Sequence, residues 1–392
     1  MFYILFILFA LSILSILHSY LFYPLYLFTS TKPSKLQNTL QYSGHDALPP
    51  IAILVAAYNE EKVIAQKIES IFNTDYPAAK ITLYIGSDAS SDNTNTIIQS
   101  YIQQYPQIKL IEFPGRTGKS GIINRLAELA HEDVFILTDA NVIFKPDTIF
   151  NLVKHFKNPE VKQVAANIVK FSPSNDGIAE QEKNYISIEN KLKYYESVKW
   201  QAVMGAEGGC YAIRKEYYAP VPPKFFMDDF YITMNVLERK GKVLFEPDAV
   251  CNEDVPTQAD EEFKRKVRIS IGNFQNLNRY KTMLFPFWKG VGFAFLSHKV
   301  LRWCTPFFLI AAFILCIVLS QYNMLFVILL VGQLLLFLSP VFDKLFSTMG
   351  LRLVLLKYTG HFYLMNLALL NGFYKYISGI DSNIWQPTKR NT

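Results

Sequence analysis

The sequence predicts an α/β fold: a doubly wound, mostly parallel sheet, flanked by one N-terminal and two to three C-terminal transmembrane helices. Three observations carry this expectation. The apolar residues are bunched at the two ends of a 392-residue chain that is 51% hydrophobic, which puts membrane segments around a central water-facing domain. Between the ends, short apolar runs alternate with stretches of helical length, as a parallel sheet with crossover helices requires. Polar clusters stand just after those runs, where ligands meet the C-terminal ends of parallel strands.

The elements follow in order. Residues 1–29 form a transmembrane anchor, interrupted only by Ser, Thr, His18 and Pro24, and the run is long enough to span a bilayer. It has no basic n-region and no small-residue cleavage site, so it reads as a retained anchor. Lys32 and Lys35 follow it and place its far end in the cytoplasm. Residues 30–50 are a polar linker closed by Pro49-Pro50. Residues 51–282 are the cytoplasmic domain. Its strands are expected at Ile51–Ala57, Ile81–Ile85, Ile108–Phe113, Val134–Leu137, Val161–Val169 and Val243–Phe245. Its helices are expected at Glu60–Phe72, Asn93–Tyr105, Ser120–His131, Pro146–Phe156, Glu180–Lys199 and Asp228–Lys240.

Residues 283–303 mix Phe, Trp and Gly with Lys289, His298, Lys299 and Arg302, a composition for an interfacial helix. Residues 304–380 hold the transmembrane segments: Pro306–Ser320, Leu325–Val341, and a less apolar third candidate, Leu351–Ile377. Residues 381–392 are a C-terminal tail.

Charge and cysteines narrow the function classes. The formal net charge is +6, but acidic residues are interleaved with the basic ones, which argues against nucleic acid. A cytoplasmic domain on an anionic leaflet, handling an anionic substrate, accounts for the excess. The four cysteines form no C-x-x-C pair, and the six histidines no H-E-x-x-H, so neither a disulfide framework nor a zinc site is indicated. The spans are few for a transporter and carry no paired charges facing a pathway.

Six places carry candidate chemistry. Asp139 ends the fourth strand, and Asn141 stands two residues on, on the same side of an extended segment. Their oxygens can converge on a hard cation carrying phosphates; a cap for the helix near Pro146 is the alternative. Ala56, Tyr58 and Glu60 follow the first strand, where a ring and polar groups suit a base and ribose, or a helix start. Asp88 follows the second strand and can accept from a nucleobase N–H; capping by Asp92 or Asn93 is compatible with that. The loop Pro114–Ser120 ends in Gly-Lys-Ser but has Phe113 where a P-loop needs its first glycine. Arg116 and Lys119 in it still suit a diphosphate. Asp228 and Asp229 open a helix whose dipole tolerates them, or one of them is a general base. Arg265 and Arg268 share a helix face that fits a pyrophosphate or lipid headgroups.

In order and spacing, these stretches over residues 50–280 resemble the membrane-anchored family 2 glycosyltransferases of GT-A fold, the group that includes hyaluronan, poly-N-acetylglucosamine and cellulose synthases. Ala56-Ala57-Tyr58-Asn59-Glu60 resembles the first nucleotide-binding motif, and Asp88 the uracil-contacting acid. Arg116 and Lys119 match the Arg-x-Gly-Lys loop, and Asp139-Ala140-Asn141 stands at the metal-binding D-x-D. Glu207, Gly208 and Gly209 resemble the acceptor-side segment. Asp228-Asp229 matches the E-D pair whose second acid is the base. Glu253-x-x-Pro256 follows the family pattern, and Arg265-x-x-Arg268-Ile269 stands at Q-x-x-R-W. Trp385 and Thr388-Lys389-Arg390 resemble the C-terminal motif.

The resemblance implies a multi-pass enzyme of the cell membrane with a cytoplasmic catalytic domain. It implies inverting transfer from a nucleotide-diphosphate sugar, with UDP as the expected nucleotide, to a saccharide or lipid-linked acceptor, with Mg²⁺ or Mn²⁺, beside membrane lipid and without nucleic acid. Asn141 in place of an acid shifts the metal toward Asp139 and the substrate's phosphates. The missing Trp after Arg268 favours adding one or a few sugars over processive, polymer-translocating synthesis. A non-catalytic scaffold is the other alternative, and it is opposed by the three intact acids. The reading requires Asp88, Asp139 and Asp229 to gather around one cleft.

Overall fold

The computed structural model describes residues 1–32, 38–171, 177–254, 259–349, 351 and 353–380. Chain contacts divide it into two units, one of Met1–Thr29 with Gln258–Gly379 and one beginning at Ser30 and reaching Thr257.

The second unit is built on an eight-stranded sheet in the order β3-β2-β1-β4-β7-β6-β8-β5. β1 (Ile51–Ala57), β2 (Ile81–Ser87), β3 (Ile108–Glu112) and β4 (Val134–Thr138) are the strands read from apolar runs. They are mutually parallel. β1 lies at their centre, and Ile51 to Val55 are fully buried. Such a strand, covered on both faces, has no reason to alternate. Each of these side chains contributes about 2 kcal/mol by leaving water.

Beyond β4 the sheet differs from the mostly parallel one expected. β5 (Val142–Phe144), β6 (Val161–Phe171), β7 (Cys210–Arg214) and β8 (Lys242–Asp254) complete it. β7 runs antiparallel to both β4 and β6, and β5 antiparallel to β8, while β6 and β8 are parallel. The sheet is therefore mixed. The reason is the route of the chain: after β6 it passes through the helix Gly177–Trp200 and re-enters the sheet from the opposite end.

This topology sets the site. β2, β1 and β4 are neighbours and end together, with Ala57 opposite Ser87 and Leu54 opposite Leu137. Because β7 runs backward, its first residue, Cys210, pairs with the last of β4, Thr138. Asp139 and the Gly208-Gly209 step therefore meet at one edge. The helix Lys119–Leu129 packs on β2 so closely that a Cβ on Gly86 would lie 2.3 Å from the Ile122 side chain. That contact carries Lys119 to the same edge.

The other unit is helical. Among the described residues, Phe2–Ser30 alone is long and apolar enough to cross a membrane. It contains a π-turn at His18–Phe22. Gly290–Trp303 with Thr305–Leu319, and Met324–Phe337 with Ser339–Thr348, reach that standard only as pairs, bent by 63° and 51°. Cys316, Leu319 and Phe326 pack with Phe2, Leu5 and Phe9. The less apolar third candidate is the helix Val354–Ser378. Ala259–Tyr280, which carries Arg265 and Arg268, groups with this unit.

Candidate active site

The group that joins the candidate residues is Lys119. It is the first residue of its helix, which follows Gly118, whose φ of 86° is a backbone state that favours glycine. Its Nζ lies 2.6 Å from Asp139 Oδ1 and 4.0 Å from Asp228 Oδ2. Burial acts to lower the ammonium's pKa, but Asp139, Asp228 and Asp229 outweigh it and hold it well above the usual lysine value. One cation thus joins the acid at the end of β4 to the acid pair at the start of Asp228–Glu238.

Asp139 begins a tight turn, in which the Val142 N–H donates to the Asp139 carbonyl at 3.2 Å. Its side chain is 34% exposed, and Asn141 is half-buried two residues on. The Asp139 N–H and Thr138 Oγ1 both donate to the Gly209 carbonyl, at 3.2 and 2.8 Å. This fastens the Asp139 turn to the segment that precedes β7. Below the turn, Lys67 Nζ donates to Thr138 Oγ1 and to the Val142 carbonyl, at 2.9 and 2.5 Å. Burial lowers its pKa to about 8.

The acid pair follows Met227, whose φ of 56° is left-handed, so the chain turns sharply into the helix. Asp229 Oδ1 accepts from its neighbour Phe230 N–H at 2.7 Å. A Cβ on Gly208 would stand 3.0 Å from Asp229 Oδ2, so any larger residue here makes the Asp229 carboxylate give way. Burial first, and Asp228 second, push the Asp229 carboxyl up to about 7, against the opposing pull of Lys119 and two backbone N–H groups. A carboxylate poised near neutrality is suited to take a proton from a hydroxyl. Tyr211 on β7 is 1% exposed, and its hydroxyl has no hydrogen-bond partner among the described residues. Burial, Asp228 and Asp229 raise its pKa well above the usual phenol value.

Asp88 is placed differently from the expectation. It is fully buried. Its oxygens accept from Arg116 Nε at 3.0 Å, Thr117 N–H at 2.5 Å and Gly118 N–H at 3.2 Å. It does not face open space as one of three gathered acids, so that requirement fails for Asp88. The acids brought together are Asp139, Asp228 and Asp229 around Lys119. Asp88 ties down the loop that delivers Lys119, because that loop offers it a guanidinium and two backbone donors. The Arg116 guanidinium in turn lies 3.3 Å from the centre of the Tyr58 ring.

The remaining strand-end residues cross-link. Glu60 N–H donates to Thr94 Oγ1 at 2.8 Å, and Asn59 Oδ1 accepts from Ser91 N–H at 2.8 Å. The loops after β1 and β2 are thereby laced together beside Ala56, while the helix after β1 starts only at Ile64, with Val63 at its N-cap and no side-chain cap. Glu207 pairs with Lys193 at 3.5 Å, a lysine only 5% exposed. Gly209 packs against Ile168 and Val142. Arg265 is gripped within its own helix by Glu262 at 2.9 Å, and Arg268 is exposed. Pro256, Trp385 and Thr388-Lys389-Arg390 lie outside the described residues.

Lys67 escaped the reading of the sequence, and Tyr211 falls in it only as part of the acceptor-side segment Glu207 to Arg214. For Lys67 a signal existed. It stands three residues after Ile64 and four before Ile71, on the stripe that the helix Ile64–Phe72 buries.

Residues 52–220 match the family profile described as glycosyl transferase family 2. The chain is 24% identical over 280 residues to the poly-β-1,6-N-acetyl-D-glucosamine synthase of Staphylococcus epidermidis, covering 70% of this chain and 65% of that protein. It is 31% identical over 126 residues to the β-monoglucosyldiacylglycerol synthase of Synechocystis sp., covering 30% of this chain and 26% of that protein. The chain thus spans less than two thirds of these relatives. The mannosyltransferase PcManGT from Pyrobaculum calidifontis, solved with GDP-Man and Mn²⁺, superposes with a TM-score of 0.68 at 21% identity, over 94% of this chain and 99% of that one. That likeness shows a GT-A-like fold.

Proposed function

Starting from a chain that carries a family 2 glycosyltransferase domain, we propose that it moves a sugar from a nucleotide-diphosphate donor to a hydroxyl of a saccharide or lipid-linked acceptor, with inversion, at the cytoplasmic face of a membrane. The observation that carries this is the gathering of Asp139, Asp228 and Asp229 about Lys119. A carboxylate suited to a cation on the donor's phosphates then stands beside a carboxylate suited to the acceptor's proton.

Asp229 takes the proton from the acceptor hydroxyl, and the oxygen attacks the anomeric carbon. The bond from that carbon to the phosphate oxygen breaks, and the nucleoside diphosphate leaves with the electron pair. The attack and the departure are in line, so one displacement inverts the centre. Lys119 faces the charge that grows on the leaving diphosphate, and Arg116 supports it from the loop that Asp88 holds. Asp228 keeps the base near neutral pKa. Glu207 and Gly208 border the acceptor side.

The donor set fits a hard divalent cation: the half-exposed Asp139 and the Asn141 amide oxygen offer oxygen ligands. Among the described residues no three Asp, Glu, His or Cys side chains are arranged to hold a metal ion by themselves. The other ligands would be phosphate oxygens, as Mg²⁺ commonly uses. Mg²⁺ or Mn²⁺ held there would supply positive charge to the departing diphosphate.

The test is a donor panel of UDP-glucose, UDP-N-acetylglucosamine and GDP-mannose on the purified protein, reading nucleoside diphosphate release and sizing the product. Asp229→Asn abolishes transfer and leaves nucleotide binding in place. Transfer at the wild-type rate by that variant refutes the assignment of the base.

A further inference from the structure

We propose that Lys67, a buried lysine that touches neither donor nor acceptor in this reading, is the positioning residue that sets the Asp139–Asn141 turn for its cation. The proposal rests on the reading of that turn as the metal site. Lys67 is 1% exposed on the helix Ile64–Phe72. Its ammonium bonds to Thr138 before the turn and to Val142 after it, at 2.9 and 2.5 Å. The two partners bracket Asp139, Ala140 and Asn141, so one group fixes both arms of the turn. The same ammonium lies 3.7 Å from the centre of the Phe144 ring, on the strand that follows. Ser70, one helical turn on, accepts from Phe144 N–H at 3.3 Å.

The link reaches the acceptor side as well. Thr138 Oγ1 accepts from Lys67 and donates to the Gly209 carbonyl, next to the glycine that abuts Asp229. Burying an ammonium with no ion-paired carboxylate costs free energy that a methionine of similar length would not incur. Packing the helix on the sheet needs only the apolar stem. The two bonds to the turn are what the charge adds. Groups that orient a ligating side chain from behind commonly change metal affinity by about 10- to 100-fold when removed.

The experiment uses the full chain in detergent and titrates Mn²⁺, alone and with UDP or GDP, by the electron paramagnetic resonance of free Mn²⁺. Lys67→Met, Lys67→Gln and Asp139→Ala are compared with the wild type. Lys67→Met weakens Mn²⁺ in the presence of the nucleoside diphosphate by about 10-fold or more. Lys67→Gln, which keeps a donor for one arm, falls between it and the wild type. The metal concentration for half-activation rises in step, while kcat at saturating Mn²⁺ and metal-free affinity for the nucleoside change by less than about threefold.

If Asp139→Ala loses Mn²⁺ and both Lys67 variants keep it, the role of Lys67 is refuted and the metal site stands. If Asp139→Ala also keeps it, the metal site itself is refuted. If Lys67→Met and Lys67→Gln lose nucleoside and Mn²⁺ together, the lysine is merely structural and the proposal fails. Should Lys67→Met not fold, Lys67→Gln decides by the same readouts.

Discussion

The poise of Asp229 makes transfer pH-dependent in a way that two substitutions move in opposite directions. Its pKa of about 7 lies above the usual carboxylate value, through burial and the charge on Asp228, with Lys119 opposing. A general base acts only when ionised, so the rate rises with pH through that value. The ionised fraction is about one-tenth at pH 6 and about nine-tenths at pH 8. Asp228→Asn removes the like charge, and the acid limb moves down by about one pH unit, roughly 1.4 kcal/mol. At pH 6 this variant then works at about half of its own plateau. Lys119→Met removes the opposite charge, and the limb moves up by a similar amount, leaving about one-hundredth of its plateau at pH 6. The assay is initial-rate release of nucleoside diphosphate at saturating donor from pH 5 to 9, each variant scaled to its own plateau. A limb that stays put in both variants, or that moves the same way in both, refutes the electrostatic account of the base.

Three further outcomes follow from contacts already described. Asp88→Ala strands the Arg116 guanidinium and two loop N–H groups, and lowers unfolding stability by about 3 kcal/mol in a denaturant titration, with a rise in donor KM. Gly208→Ala pushes a methyl against Asp229 and cuts kcat by about 10- to 100-fold while donor KM holds, measured by steady-state kinetics. Tyr211→Phe removes a buried hydroxyl that has no partner among the described residues, so thermal unfolding shows unchanged or higher stability, by about 1 kcal/mol.

The parallel half of the sheet was legible because β1, β2 and β4 are largely apolar and all four strands are followed by polar clusters. Ile51–Ala57 was read with its observed bounds, and Val134–Leu137 one residue short. In the other half Val161–Val169 was read two residues short of the end of β6, but the strands β5 and β7 were not read. Cys210–Arg214 and Val142–Phe144 are short and follow a Gly-Gly step and a turn, and their direction depends on where distant partners lie, which no local pattern records. β8 runs from Lys242 to Asp254, far past the Val243–Phe245 core that its apolar residues mark. The acids at 139, 228 and 229 were legible as strand-end and helix-start carboxylates. The burial of Asp88 was not, since it follows from a loop folding back over it. Tyr211 reads as an ordinary strand residue until the three carboxylates near it are placed in space.

Asp139 stands at the exit of β4 and Gly208 just ahead of the entrance of β7, side by side although nearly seventy residues separate them. Early in the stretch between them, Val142 and Phe144 are bonded to Lys67 and Ser70 on the helix after β1. On the proposed reading, a change at either mouth of this doorway is felt on both sides of it, so a lineage that alters the recipient of its sugar must retune its hold on the donor as well.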